Sequence, residues 1–193
     1  EDNEYLANEN IRRALATSFN KEDLVNEVLA NGSTAANYAV PADFVKDADG
    51  NDFRDANGDM LTYDVKSAKK YWETGLTELG VDSIDLSILT DDTESAKKLY
   101  QYVQNQWETN LEGLSVSVES VPFSVRLERQ TSQNYDVLGT GWGPDYQDPM
   151  TFSDLWVTDG TNNNMSYSNE QYDALIEQAK QSQDINEKFA LLQ

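Results

Sequence analysis

The stretch IDLSILTDDTESAKKLYQYVQNQWETNLEGLSVSV, residues 84–118, contains the patterns of two strands with a helix between them. At both ends apolar residues alternate with Asp or Ser, which predicts strands at 84–88 and 114–118. The helix is predicted to start at Asp91-Asp92, and its apolar stripe consists of Ala96, Leu99, Tyr100, Val103, Trp107 and Leu111. Because a crossover of this length favours parallel, right-handed connections, the stretch predicts an α/β fold with a mostly parallel sheet flanked by helices.

The flanking segments extend this pattern. A shorter helix is predicted from Pro122 to about residue 132, and a third strand at 135–138, which gives the order β-α-β-α-β. Residues 32–62 show no sustained periodicity and are predicted to form a long loop, pinned by Pro41 and Phe44. The other predicted helices start at Asn8 or Asn10, at Asn20, at Asp64, near Ser168 and at Asp184.

Charge and composition argue against several classes of function. Thirty-five acidic residues against fourteen basic ones give a formal net charge of −21, which repels nucleic-acid phosphates and anionic lipid. The absence of cysteine rules out disulfides and thiolate chemistry, and the absence of histidine removes the usual general base and the commonest metal ligand. No transmembrane helix or signal peptide is predicted. We therefore expect no nucleic-acid partner and no cofactor.

The acidic segment DADGNDFRDANGD, residues 47–59, raises the question of a calcium loop. An EF-hand-type loop needs an oxygen ligand at position 1 and glycine at position 6. With Gly58 at position 6, Asn57 stands at position 5 but Phe53 falls at position 1. With Gly50 at position 6, Val45 falls there. Both registers fail at the first ligand, so the segment is interpreted as a polar surface turn or hairpin, and no metal is expected.

The stretch GTGWGPDYQDP, residues 139–149, follows the third predicted strand and therefore lies at its carboxyl end, where ligands bind in open α/β sheets. Its glycines allow close approach of the backbone, Trp142 offers a flat apolar wall, and a carboxylate beside it can accept a ligand cation. Two alternatives remain open here. The stretch could be a structural turn whose Trp plugs the sheet end, or Asp145 and Asp148 could be the paired carboxylates of a glycoside hydrolase. Signatures of other hydrolases and of nucleotide-binding loops are absent.

The segment GWGPDYQDPMTF, residues 141–152, resembles the Gly-Trp-x-x-Asp-Tyr-x-x-Pro segment of extracellular peptide-binding proteins, the solute receptors of oligopeptide ABC transporters. The resemblance covers essentially the whole chain. It includes NENIRRALATSFNKEDLVNEVLANG near the start, PADFVKDADGNDFRDANGD in the predicted loop, and YSNEQYDALIEQAKQSQDINEKFALLQ at the end. The middle segment is similar to the version found in Gram-positive members.

The resemblance implies a periplasmic-binding-protein-like class II fold, in which two lobes close on a ligand. Residues 1–193 would form a single α/β domain, most of the C-terminal lobe. The other lobe, a signal peptide and a lipidated cysteine would lie upstream. The full-length protein is then expected to be a monomeric lipoprotein on the outer side of the cytoplasmic membrane that delivers oligopeptides to ABC permease subunits. Because FALLQ ends inside an amphipathic pattern, we interpret the sequence as a fragment.

The same resemblance assigns roles to residues of the loop. Asp145 corresponds to the carboxylate that receives the α-ammonium group of the peptide, and Trp142 to the aromatic that walls a side-chain pocket. Gly141 and Gly143 would keep the backbone close to the ligand, and Tyr146 would be a support. Some relatives carry an arginine three residues before the tryptophan, where this chain has Gly139, so longer or varied peptides are expected.

A binding protein is favoured over an enzyme, because the loop offers a cation acceptor and apolar walls but no histidine or nucleophile. The same scaffold with a signalling peptide, an oligosaccharide or a metal chelate as its ligand remains the alternative.

Overall fold

The computed structural model describes residues 3–56 and 58–193. The chain divides into two compact units. The first consists of Glu1–Ala35 with Leu61–Thr140, and the second of Ala36–Met60 with Gly141–Gln193. Each unit is therefore assembled from two separate segments of the sequence.

The first unit contains a parallel three-stranded sheet. Its strands are β1 (Ile84–Asp91), β2 (Leu114–Val121) and β3 (Val137–Leu138), arranged in the order β2-β1-β3. The crossovers are the helices α5 (Glu94–Asn110) and α6 (Phe123–Thr131). Both strand pairs are parallel, with Ile84 opposite Leu114 and Ile88 opposite Val137. This confirms the predicted β-α-β-α-β order.

The third strand is shorter than predicted, because a side chain replaces part of its ladder. The carboxylate of Asp136 accepts hydrogen bonds from the backbone N–H of Ser87 at 2.9 Å and from the Ser87 hydroxyl at 2.8 Å. It also accepts one from Asn3 at 2.9 Å. The N–H of Ser87, in the middle of β1, is thereby satisfied without a β3 carbonyl. Backbone pairing starts only at Val137.

The start of α5 also differs from the prediction. Asp91 continues β1 and pairs with Val121, so neither Asp91 nor Asp92 opens the helix. The cap is Thr93, whose hydroxyl accepts the N–H of Ala96 at 3.3 Å. Threonine is also among the favoured capping residues, and the two acids before it were predicted as the cap, so composition alone placed the boundary too early.

The first unit also contains four α-helical segments, α1 (Glu4–Ala7), α2 (Glu9–Thr17), α3 (Lys21–Asp23) and α4 (Val65–Leu79). Asn8 caps α2, Asn20 caps α3 and Asp64 caps α4, as predicted. The helix predicted from Asn20 continues beyond α3 as a π-helix, Leu24–Leu29. It ends at Ala30, which adopts a left-handed conformation and whose N–H bonds to the carbonyl of Val25.

The apolar core of the first unit joins these helices to the sheet. Its buried members are Leu6, Ile11, Ala14, Leu15, Ala68, Trp72, Ile84, Leu86, Ile88, Val103, Trp107, Leu111, Leu114 and Val116. Helices α2 and α4 approach closely at Gly75, where an added Cβ would lie 2.6 Å from Ile11 Cδ1. The indole N–H groups of Trp72 and Trp107 bond to backbone carbonyls, so neither ring buries an unsatisfied donor.

The second unit contains α7 (Met150–Ser153), α8 (Glu170–Gln181), α9 (Ile185–Leu192) and two 3-10 turns, Phe53–Ala56 and Asp154–Trp156. Asn169 caps α8 and Asp184 caps α9. Edge-to-face ring pairs form part of its core, with centroids 5.5 Å apart for Phe44–Phe152 and 5.1 Å for Phe53–Phe189. The region predicted as a loop thus contributes buried side chains to this unit.

Residues 46–52 form a hairpin, which agrees with the interpretation of the acidic segment from sequence, whereas Phe53 in the same segment is buried in the core of the second unit. Lys46 and Asp52 form an antiparallel bridge, and one carboxylate oxygen of Asp47 accepts the N–H groups of Asp49 and Asn51. Asn57, one of the ligands considered for calcium, lies outside the described residues. Within residues 3–56 and 58–193 no group of three acidic side chains could hold a metal ion. In the same part of the chain, no helix is both long and apolar enough to cross a bilayer.

Candidate ligand-binding site

Gly139 continues the sheet and begins the candidate loop. Its N–H donates to the carbonyl of Leu89 at 2.7 Å, and the residue is buried. An added Cβ would lie 2.3 Å from Cζ and 2.6 Å from Oη of Tyr100. The ring of Tyr100 thus occupies the space that a side chain at position 139 would need, so glycine is required here for packing.

The two glycines beside Trp142 differ from Gly139. No atom lies within 4 Å of a Cβ built on Gly141 or on Gly143, and neither has the positive φ that favours glycine. Nothing within the described residues therefore demands glycine at these two positions. Their predicted role, to keep the backbone open to a ligand, stays a prediction.

The far end of the loop is anchored by Asp148. One oxygen of this carboxylate accepts the N–H of Met150 at 2.9 Å at the start of α7, and the other forms an ion pair with the ammonium group of Lys188 on α9. The following Pro149 is buried, and the side-chain amide of Gln147 donates to the carbonyl of Phe44 at 3.1 Å. Asp148 therefore has a structural role in the second unit.

Asp145 is in a different situation from Asp148. The residue is exposed, and its backbone N–H is held by the hydroxyl of Thr151 at 3.1 Å. Its carboxylate makes no hydrogen bond or ion pair with any of residues 3–56 and 58–193. The backbone is fixed while the charge is left uncompensated, which is the arrangement that a cation-accepting group needs.

Two aromatic side chains flank this carboxylate in the sequence and are exposed. Trp142 keeps 41% of its surface accessible and Tyr146 keeps 49%. Partial burial raises the pKa of the Tyr146 phenol, and the negative charges of Asp154, Asp148 and Asp145 raise it further. The phenol therefore stays protonated at neutral pH and can donate a hydrogen bond.

A second polar cluster lies at the carboxyl ends of all three strands in the first unit. Arg126 follows β2 on α6 and is buried. Its Nε donates to Asp91, the last residue of β1, at 3.0 Å, and its Nη1 donates to the hydroxyl of Thr140, just beyond β3, at 3.2 Å. This cluster was not predicted from the sequence. The available signal was an arginine in the first turns of a helix that directly follows a strand.

Tyr100 belongs to the surroundings of this cluster. Burial raises the pKa of its phenol, the charge of Asp91 raises it further, and the charge of Arg126 opposes the shift. The group beside Gly139 is therefore a neutral hydroxyl, in contrast to the cation that the family resemblance places at position 139 in some relatives.

A groove of about 830 Å³ lies elsewhere on the first unit. Its lining residues include Gly80, Asp82 and Gly113, which precede β1 and β2. It is therefore at the amino ends of these strands, whereas ligands of open α/β sheets bind outside the carboxyl ends. We do not assign the candidate site to this groove.

Comparison with known proteins assigns the family. Residues 1–164 match the family model of bacterial extracellular solute-binding proteins, family 5 Middle. The chain therefore belongs to this family of solute-binding proteins. A dipeptide-binding protein of Lactococcus lactis subsp. cremoris is 34% identical over 183 residues, which are 94% of this chain and 33% of that protein. The chain thus spans about a third of the length of this relative.

Solved structures agree with this assignment. Listeria monocytogenes OppA bound to peptide superimposes with a TM-score of 0.91 at 44% identity, over 97% of this chain and 36% of that one. A peptide-binding protein of a peptide ABC transporter gives a TM-score of 0.94 at 36% identity, over 100% of this chain and 87% of that one. The predicted fold class, a periplasmic-binding-protein-like class II fold with a parallel sheet flanked by helices, is confirmed.

Proposed function

We propose that this chain is part of the substrate-binding component of an ABC importer, which captures extracellular oligopeptides and delivers them to the permease. The observation that carries the proposal is the uncompensated carboxylate of Asp145 on a loop with a fixed backbone. A charge-assisted hydrogen bond from an ammonium group would satisfy it. Family membership and the peptide-bound relative support the same conclusion.

In this proposal Asp145 receives the α-ammonium group of the peptide. Trp142 walls a pocket for a neighbouring side chain of the ligand, since an exposed indole supplies a large rigid apolar surface. Gly141 and Gly143 leave the backbone of the loop open to the ligand, and Tyr146 supports the loop. The main chain of the peptide would be held largely by backbone hydrogen bonds, which leave its side chains free to vary.

We propose that the protein binds its ligand and does not act as an enzyme. A hydrolase built on Asp145 and Asp148 would need both carboxylates available for acid–base or nucleophilic steps. The carboxylate of Asp148 is already committed to Lys188 and to the N–H of Met150. Membership in a family of solute-binding proteins points the same way.

The proposed ligands are longer or varied peptides, without selection for one fixed short length. The neutral ring of Tyr100 fills the space beside Gly139, so no cation at that position is available to fix a peptide carboxylate. Signalling peptides fall within this ligand class. A free peptide carries an ammonium group that can form a charge-assisted hydrogen bond with the carboxylate of Asp145, whereas an uncharged oligosaccharide offers only hydroxyl donors.

We further infer that residues 1–193 form most of the C-terminal lobe of a two-lobe protein, because the chain spans about a third of its curated relative. The remaining lobe would supply the other half of the cleft. An upstream lipid would anchor the monomeric full-length protein to the outer side of the cytoplasmic membrane, where it meets the permease subunits.

Calorimetry on the full-length protein tests the proposal. Hexa-alanine with a free amino terminus should bind, and both N-acetylation and Asp145→Asn should weaken binding by about tenfold or more, the usual scale for a charge-assisted hydrogen bond. Asp85→Asn is the matched control, because Asp85 is an exposed carboxylate on β1 in the other unit. Equal affinity for free and acetylated peptide would overturn the role of Asp145, and no binding of either would overturn the proposed function.

A further inference from the structure

The carboxyl ends of the three strands are joined by one guanidinium group. Asp91 ends β1, Arg126 lies on the helix that follows β2, and Thr140 comes two residues after the end of β3. The guanidinium group of Arg126 donates hydrogen bonds to Asp91 and to Thr140 and, through Nη1, to the side chain of Gln130. It also stacks over the exposed ring of Phe123, with Cζ 4.8 Å from the ring centroid. Arg126 is therefore held in one orientation from several sides.

The Arg126–Asp91 pair does not use all of its hydrogen-bond donors and acceptors. Nε and Nη1 of Arg126 are engaged, whereas Nη2 has no hydrogen-bond partner among the described residues. Oδ1 of Asp91 accepts the hydrogen bond from Nε of Arg126. Oδ2 of Asp91, like Nη2 of Arg126, has no hydrogen-bond partner among the described residues. Neither Nη2 of Arg126 nor Oδ2 of Asp91 is fully buried, so both atoms reach solvent. The pair thus keeps one donor group, Nη2 of Arg126, and one acceptor atom, Oδ2 of Asp91, available to a ligand.

We propose that the Arg126–Asp91 pair is a ligand-contacting element that binds one main-chain peptide group of the oligopeptide. Nη2 of Arg126 donates to the carbonyl oxygen of the ligand, and Oδ2 of Asp91 accepts a ligand N–H. This inference rests on the proposed function, because it assigns a further contact to the same class of ligand. Strand carboxyl ends are where ligands bind in this kind of sheet, and all three ends contribute to the cluster.

The charge balance of the pair selects a neutral ligand group. The positive charge of Arg126 is compensated by Asp91, so the pair offers no net attraction to a free carboxylate or ammonium group. A peptide group, by contrast, carries one donor and one acceptor and no net charge. Recognition of this kind does not depend on the ligand's side chains, so it suits a receptor for peptides of varied sequence.

A backbone-ester scan of the ligand tests this assignment. Each peptide N–H of hexa-alanine is replaced in turn by an ester oxygen, and affinities for the full-length protein are measured by calorimetry. One ester position should weaken binding to the unaltered protein by about tenfold or more, the scale of a hydrogen bond to a charged group. In Asp91→Asn the acceptor becomes a donor, so the all-amide peptide should bind more weakly and the penalty at that position should disappear.

The decisive result is that the ester at this one position no longer weakens binding to Asp91→Asn. A merely structural defect would instead weaken the binding of all peptides to the same extent. Glu119→Gln is the matched control. Glu119, on β2, forms an ion pair with Arg129, which lies on α6 like Arg126. Replacement of Glu119 should leave the affinities of all the ester peptides unchanged. Arg126→Lys, which keeps the charge opposite Asp91 but removes Nη2, provides a second variant should Asp91→Asn be too unstable. It should weaken the all-amide peptide by about tenfold.

The outcomes separate the two proposals. An ester profile unchanged in Asp91→Asn, or an all-amide affinity unchanged in Arg126→Lys, overturns the role of the pair. If hexa-alanine binding still depends on Asp145 in that case, the proposed function stands. Failure of the unaltered protein to bind hexa-alanine overturns both.

Discussion

The ammonium group of Lys188 on α9 neutralises Asp148, which stands forty positions earlier in the chain. Asp145 lies in the same loop and has no such partner within the described residues. Two carboxylates that are equivalent in the sequence are thereby given different tasks. One fixes the loop to the second unit, and the other stays available to a ligand.

The Lys188–Asp148 pair should contribute to stability. Both side chains are largely buried, with exposed fractions of 22% and 28%, so Lys188→Met leaves a carboxylate with reduced hydration and no counter-charge. We expect a loss of about 1–3 kcal/mol in the free energy of unfolding, measured by urea denaturation. Lys97→Met is the control. Lys97 pairs with Glu94 at the surface, and its loss should cost less than about 0.5 kcal/mol. Equal losses in the two variants would contradict the structural role of Asp148.

Gly139→Ala should destabilise the protein through its contact with Tyr100. The added Cβ would overlap the ring at 2.3 Å, and overpacking of this kind costs about 1–3 kcal/mol. Gly141→Ala meets no atom within 4 Å and should change the free energy of unfolding by less than about 0.5 kcal/mol. In a Tyr100→Ala background the cost of Gly139→Ala should largely vanish, because the space is then empty. An additive double variant would show that the strain has another origin.

Asp136 should make stability dependent on pH in the acid range. Burial alone would raise the pKa of this carboxyl, but the hydrogen bonds from Asn3 and Ser87 outweigh it, so the pKa is lowered in the folded state. Such a group stabilises the fold above its unfolded pKa of about 3.9, and this contribution is lost as the pH falls through the lower folded value. The difference in unfolding free energy between the unaltered protein and Asp136→Asn should therefore be largest near neutral pH and shrink below about pH 4. A constant difference across this range would refute the assignment.

Asn163→Ala should destabilise the second unit and lower the free energy of unfolding. The buried amide of Asn163 donates to the carbonyls of Val157 and Tyr167 and accepts the N–H of Tyr167. Its removal leaves the N–H and the carbonyl of Tyr167 without this partner, while the carbonyl of Val157 keeps its bond from the N–H of Gly160. We expect a cost of about 1–3 kcal/mol in the free energy of unfolding. The adjacent Asn162 is exposed, and Asn162→Ala should cost less than about 0.5 kcal/mol. Denaturation curves that coincide for the two variants would contradict this prediction.

Much of the fold could be predicted because its signals are local. The alternation in β1 and β2, the stripe of α5 and the caps at Asn8, Asp64 and Asp184 each lie within a few residues of the element that they define. Errors arose where a contact distant in the sequence changed a local outcome. Asp136 shortens β3 by bonding to Ser87, and pairing with Val121 extends β1 through Asp91.

By itself, the sequence determined the order of strands and helices, the negative net charge and the choice of Trp142 and Asp145 as candidates for ligand contact. Only the tertiary structure decided which carboxylates are free. It neutralises Asp148 with Lys188, leaves Asp145 uncompensated, and gathers Asp91, Arg126 and Thr140 at one edge of the sheet. The physical reason is that the electrostatic state of a side chain depends on partners within a few ångströms. These partners come from parts of the chain that only folding brings together.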